Sequence, residues 1–183
     1  EWINLHCERH EINLSEEQKS AIVGILDSPI SLLTGGPGVG KTTTARILGK
    51  ALGPRRKDIV LASKVRARTG PGPNDVGLSR VHIMASVDES LRRLGTDWLD
   101  LYQIHGYDSL TPLDETLRAL DDVVRTGKVR YIGCSNLLAW QLMKALSISR
   151  AERLEHFRRT QSYYSLVGRE LEHASRLWLV QFA

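Results

Sequence analysis

Short runs of aliphatic and β-branched residues alternate along this chain with longer stretches whose apolar positions recur every three or four residues. That alternation is the rhythm of a parallel α/β fold, in which each strand is followed by a covering helix. Ser15 reads as an N-cap, with Glu16 and Glu17 in the first turn of an amphipathic helix that runs to about Leu26. After Pro29, residues 30–34 predict a buried strand that opens into a glycine-rich loop and a second helix. Residues 58–64 predict the next strand, and Ile83, Val87, Leu91 and Leu94 mark a third helix. A strand over 98–105 follows. Thr111 caps the next helix, Pro112 takes its first helical position, and Gly127 closes it. Residues 129–134 predict a strand, 137 to about 155 a helix, and 157–164 a last strand. This predicts an α/β parallel sheet of five strands in βα units.

One segment interrupts the rhythm. Residues 66–78 carry Gly70, Pro71, Gly72, Pro73 and Gly77, and a loop that long inside a compact domain is usually functional or disordered.

Composition narrows the class. The chain has 183 residues, 42% hydrophobic and 25% charged, which is ordinary for a globular protein. A complete eight-unit β/α barrel needs about 250 residues, so a barrel here is partial. No apolar run approaches the roughly 18–20 residues of a membrane span, and no signal peptide opens the sequence. Glu1 in place of an initiator methionine suggests an excised or engineered piece. The net charge of +4 is spread through the chain and gives no basis for a nucleic-acid partner. Two distant cysteines, Cys7 and Cys134, fit free thiols in a reducing, cytoplasmic setting. His6, Cys7 and His10 lack a fourth ligand and read as non-coordinating. Trp140, Leu142, Met143 and Leu146 recur at helical spacing and read as core. Arg55, Arg56 and Lys57 read as a solvated turn, and the apolar run 177–183 as a docking helix or an exposed end.

Two groups of residues carry chemistry. The first is Gly35-Gly36-Pro37-Gly38-Val39-Gly40-Lys41-Thr42, which fits G-x-x-x-x-G-K-[ST] at every fixed position, between a predicted strand and a predicted helix. Gly35, Gly38 and Gly40 let backbone N–H groups turn around an anion, Lys41 reaches outer phosphates, and the Thr42 hydroxyl holds a magnesium ion. With the preceding Leu14-Ser15-Glu16-Glu17-Gln18, the stretch over residues 12–46 resembles the start of RecD-like superfamily-1 helicases. The resemblance implies ATP-Mg binding, with Gln18 against the adenine. The later carboxylate pair and the second motor domain of that family have no counterpart here, so the resemblance implies binding without motor activity.

The second group begins near Ile47. Residues 47–53 and 58–64, Ser90 through His105, Gly127 through Asn136, and Gln161 through Glu170 resemble the aldo-keto reductases in order and spacing. The resemblance implies a carbonyl oxidoreductase using NADP(H). In it Lys64 lowers the pKa of a tyrosine acid, His105 orients the substrate carbonyl, and Ser135, Asn136 and Gln161 hold the nicotinamide carboxamide. The family's tyrosine acid and its partner aspartate lie on the first two barrel units, and residues 1–46 hold no tyrosine. Tyr102, three positions before His105, is expected on the opposite face of its strand, and Tyr107 lies on the following loop.

The expectation is therefore a helicase-like phosphate-loop segment over 1–46 merged at Ile47 with a partial reductase barrel over 47–183. Three functions compete: a catalytically incomplete reductase, a nucleoside-triphosphate binder, and a recombinant chimera with no activity. The expected partners are a nucleotide and a small carbonyl substrate. Unpaired sheet edges favour a homo-oligomer.

Overall fold

The computed structural model describes residues 2–27 and 41–163, together with Ser165 and Val167. The strand predicted over 30–34, Gly35, Gly38, Gly40 and the apolar run 177–183 lie outside the described residues. The chain divides into two compact units: residues 1–60 with 90–97, and residues 61–89 with 98–183.

The first unit is helical. It holds α1 (Trp2–Arg9), α2 (Glu16–Asp27), α3 (Lys41–Leu52) and a 3-10 helix over Gly53–Asp58. Ile3, Cys7, Leu14, Ile22 and Ile47 form a buried cluster, to which α3 contributes Ile47. Ser15 caps α2 as expected: Gln18 N–H donates to Ser15 Oγ at 3.3 Å, and Ser15 N–H donates back to Gln18 Oε1 at 3.0 Å. This reciprocal pair satisfies two donors at the helix start. Residues 53–58 differ from the predicted strand and turn. Gly53 (φ 39°) and Pro54 divert the chain into the 3-10 helix, and strand pairing begins only at Ala62. Arg56 is buried rather than solvated. Its Nε donates to Thr96 Oγ1 at 3.0 Å and its Nη1 to the Ile59 carbonyl at 3.0 Å.

The second unit is a parallel sheet covered by helices. Its strands are β1 (Ala62–Val65), β2 (Leu99–Ile104), β3 (Val129–Ser135) and β4 (Arg159–Gln161), hydrogen-bonded in sequential order. The intervening helices are α4 (Arg80–Leu94), of which residues from Ser90 on group with the first unit, α5 (Leu113–Arg125) and α6 (Ala139–Glu152). Sequential parallel order is how a β/α barrel is laid down, in contrast to the switched order of a doubly wound sheet.

Period-2 alternation sorts the strands into two faces. Val65, Tyr102, Ile104, Ile132 and Cys134 share the helix-covered face and are all buried. Against them α5 lays Leu117, Leu120 and Val123, each with no exposed surface. Fully burying such a side chain contributes about 1.5–3 kcal/mol. Gly127 ends α5 in the left-handed conformation (φ 76°). The start of α5 differs from expectation: Pro112 holds the cap position, and the Thr111 hydroxyl donates to Asp108 Oδ2 at 2.8 Å instead of capping. Helix α6 buries Gln141, Ala145 and Ser149, spaced four apart, whereas Trp140 is 57% exposed and no core residue. With those three positions turned inward, Trp140 at the neighbouring position falls on the outer side of the helix. Strand β4 is three residues long against eight predicted, and all three are exposed.

Candidate active site

The face of the sheet opposite these helices carries a different composition. Register places Lys64 beside Gln103, Gln103 beside Gly133, and Gly133 beside Arg159. One step of the alternation further, Ser135 pairs with Gln161. His105 follows β2, with its N–H donating to the Val65 carbonyl at 2.9 Å. Lys64, Gln103, His105, Ser135 and Gln161 thus share one face at the C-terminal ends of adjacent parallel strands, where β/α enzymes gather their chemistry. Lys64 is the penultimate residue of β1, with Val65 ending the strand.

The groups differ in their surroundings. Lys64, His105, Asn136 and Gln161 are exposed. Ser135 is fully buried, and its hydroxyl has no hydrogen-bond partner among the described residues. A buried hydroxyl without a partner costs about 1–3 kcal/mol, so such a group is a place where a ligand's polar atom fits. Asn136 adopts a left-handed backbone (φ 54°), its N–H donating to the Gln161 carbonyl at 3.0 Å. Its Oδ1 accepts the Tyr163 N–H at 3.1 Å, which fixes the carboxamide beside Ser135 and β4. Burial together with the positive charges of Lys64 and Arg66 lowers the pKa of His105 below 6.5. The imidazole is therefore neutral at neutral pH and able to donate or accept a hydrogen bond.

The two tyrosines near His105 fall as the alternation requires. Tyr102 points to the covered face, its hydroxyl donating to the Ile83 carbonyl at 3.5 Å, and burial and Asp88 push its pKa far up. Tyr107 packs its ring 6.1 Å from that of Trp140. Cys134, buried on the helix side, has its thiol pKa raised by burial.

The long loop after β1 is ordered by its own polar groups. Asp75 accepts the Gly72 N–H at 2.7 Å, its carbonyl accepts the Thr69 N–H at 2.8 Å, and Arg68 donates to the carbonyls of Gly70 and Gly72 at 3.0 Å. Asp108 ties this loop to the one after β2. It accepts the Leu78 N–H at 2.7 Å, the Leu110 N–H at 3.0 Å and the Thr111 hydroxyl. Burial opposes its ionisation, but these three donors and Arg66 lower its pKa overall.

Sequence reasoning missed Gln103, Arg66 and Asp108. Gln103 carries a signal in retrospect: a polar residue in an otherwise apolar strand, two positions before His105, which puts it on the same face. Arg66 and Asp108 act across loops separated by about forty residues, and spacing alone does not show that.

Of the phosphate-loop residues, Lys41 and Thr42 begin α3. Gln18, expected at an adenine, has its Oε1 on the Ser15 N–H. The His6 and His10 rings lie with centroids 4.4 Å apart and planes tilted by 46°, Cys7 is buried, and no cluster suited to a metal ion occurs among the described residues. No helix among them is long and apolar enough to cross a membrane.

A sequential parallel sheet with one covered apolar face, and polar side chains at its strand ends on the other, defines the fold class: a partial β/α barrel. The chain belongs to the Aldo/keto reductase family, whose profile matches residues 38–176. The match begins inside the phosphate-loop motif and runs through Ile47, where a change of family was expected, and the comparisons give no support for a helicase segment. The chain is 45% identical over 107 residues to versiconal hemiacetal acetate reductase of Aspergillus parasiticus, covering 58% of this chain and 31% of that protein. It is 42% identical over 136 residues to an uncharacterized oxidoreductase of Bacillus subtilis (70% and 42%). It is 34% identical over 153 residues to an aldo-keto reductase of Alternaria alternata (69% and 42%). The chain thus spans 31–42% of the length of these relatives.

Proposed function

We propose that this chain forms the middle part of an NADP(H)-dependent carbonyl oxidoreductase, with Lys64 and His105 at the reacting carbonyl and Ser135, Asn136 and Gln161 at the nicotinamide. The observation that carries the reading is the buried, unpartnered Ser135 hydroxyl, set between His105 and Gln161 on the polar face of the strand ends. A nicotinamide carboxamide needs donors for its oxygen and acceptors for its NH2. The Ser135 hydroxyl serves either need, Asn136 offers its NH2, and the exposed Gln161 offers both kinds of group. When bound, the cofactor supplies a hydride equivalent.

The protein's own share is orientation and charge. His105, kept neutral by partial desolvation and then by the charges of Lys64 and Arg66, donates a hydrogen bond to a carbonyl oxygen and sets its angle. Lys64 contributes positive charge where negative charge develops on that oxygen, and it lowers the pKa of any phenol placed beside it. By the family likeness, the proton-donating tyrosine and its aspartate come from barrel units preceding those described here. On that reading this chain orients and binds, and reduces carbonyls slowly or not at all. Removing a general acid typically costs about a hundred- to ten-thousand-fold in rate.

A second reading keeps ATP-Mg on the phosphate loop, and the helical state of the chain from Lys41 onward favours it, because the motif needs a helix after the loop. The family match through residues 38–46 makes it the subordinate one. Thermal-shift titration separates the two. Stabilisation by NADPH that weakens in Ser135→Ala supports the reductase reading. Magnesium-dependent stabilisation by ATP that is lost in Lys41→Ala supports the other, and with it the chimera.

A further inference from the structure

We infer that Arg66 is a positioning residue for His105: it clips the chain leaving β2 to the chain leaving β1 and so fixes where the imidazole stands. The inference rests on the reductase reading for the role of His105, and on the following geometry for the clip itself.

Arg66 follows the last residue of β1, and its backbone has φ 124°, a region an arginine rarely occupies. Such a conformation costs about 1–3 kcal/mol and persists only where neighbouring contacts over-determine it. Here they do. The Arg66 carbonyl accepts the Gly77 N–H at 3.0 Å. The Arg66 Nε donates to the Tyr107 carbonyl at 3.1 Å, two residues past His105. The guanidinium lies along Gly106, where even an added Cβ would come within 3.9 Å of Arg66 Cδ, Nε and Cζ. Gly106 is itself buried, so the backbone after His105 runs beneath the arginine.

Asp108 completes the clip from the other side. It holds Leu78 at the far end of the 66–79 loop, and Gly77 is kept small by it, because an added Cβ would meet Asp108 Oδ2 at 2.7 Å. The loop that starts at Arg66 thus returns to the segment that starts at His105. The two strand ends carrying Lys64 and His105 are joined by hydrogen bonds at 3.1 Å (Arg66 to Tyr107) and 2.7 Å (Leu78 to Asp108), besides their ladder.

The charged groups that bear on His105 are Lys64 from β1 and Arg66 after it, both cationic, while Asp108 on its own loop is engaged by Leu78, Leu110, Thr111 and Arg66. From β3 the neighbouring residues, Cys134, Ser135 and Asn136, bring no formal charge at neutral pH. Removing the Arg66 guanidinium therefore does two separable things: it frees the Gly106–Tyr107 backbone, and it removes one positive charge facing the imidazole.

The test uses the whole chain, labelled with 13C and 15N, with the His105 signals assigned through His105→Gln. The readouts are the His105 titration midpoint and the backbone order parameters of Gly106 and Tyr107. Three variants are compared: Arg66→Gly, which relieves the backbone strain, Arg66→Lys, which keeps the charge, and Asp108→Asn. Arg66→Gly is expected to remain folded, to shift the His105 midpoint upward toward 6.5, and to lower both order parameters. Arg66→Lys is expected to keep the midpoint near its original position while lowering the order parameters, because the side-chain Nε donor is gone. Asp108→Asn is expected to loosen the same residues. Unchanged order parameters in folded Arg66→Gly and Arg66→Lys would overturn the inference. Arg66→Lys alone decides it should Arg66→Gly fail to fold. NADPH titration of the wild-type chain is read separately: absence of binding with the clip intact counts against the reductase reading and leaves the Arg66–Tyr107 link standing.

Discussion

Replacing Ser135 with alanine is expected to make the cofactor-free chain more stable and the cofactor weaker, a combination that ordinary core substitutions do not produce. The Ser135 side chain is fully buried and its hydroxyl has no partner among the described residues. The folded chain therefore carries a desolvation cost of about 1–3 kcal/mol that the unfolded chain avoids. Alanine removes the oxygen and leaves only a small void, so a net gain near 1 kcal/mol is expected. For a chain of this length that raises Tm by about 2–4 °C. On the proposed reading, the same oxygen makes a hydrogen bond to the bound cofactor worth about 0.5–1.5 kcal/mol. Its loss is expected to weaken NADPH binding by about two- to twelvefold. Calorimetric unfolding without ligand measures the first effect, and isothermal titration with NADPH the second. A Ser135→Ala chain that is less stable and binds NADPH as before would refute the reasoning, since the hydroxyl would then serve the fold and not the ligand.

Four further outcomes are expected. Lowering the pH below about 6.5 should destabilise the chain through His105, since its folded pKa lies below 6.5 and the unfolded chain takes up the proton first; His105→Asn should remove that part of the slope of Tm against pH. Gly49→Ala should cost about 1–3 kcal/mol in urea unfolding, because its Cβ would collide with the Leu94 carbonyl, a backbone group that has no room to yield. Leu120→Ala should cost about 2–5 kcal/mol, as its side chain is fully enclosed by the sheet and α5's neighbours. Light scattering across micromolar concentrations should show association through the exposed sheet face, where Tyr131 is 55% exposed, and a steady monomer mass would contradict it.

Much of the architecture was legible because it rests on periodicity. Ile83, Val87 and Leu94 face inward on α4 as their spacing requires, and Tyr102 falls opposite His105 because alternation in a strand leaves no other choice. The candidate site residues Lys64, His105, Ser135 and Gln161 were singled out only through family likeness; register puts Lys64, Ser135 and Gln161 on one face, with His105 two positions after Gln103 on the same side. What sequence did not reveal depends on tertiary partners. Arg56 looks like a solvated turn residue until Thr96, forty positions on, receives its Nε–H. Trp140 fits a helical apolar stripe, yet the smaller Gln141, Ala145 and Ser149 face inward and leave it exposed. Thr111 has the chemistry of a cap, but Asp108 competes for its hydroxyl. In each case a local preference yields to a partner distant in sequence or to a packing constraint.

The central claim is that the polar strand ends of this unit form a nicotinamide site. The most direct measurement is an amide chemical-shift titration of the whole chain with NADPH, and with nicotinamide mononucleotide to isolate the ring's contribution. Saturable changes centred on His105, Ser135, Asn136 and Gln161, with smaller changes over α1 and α2, are the predicted result. Saturation with no change at Ser135 or Gln161, or no binding by either ligand, would contradict it.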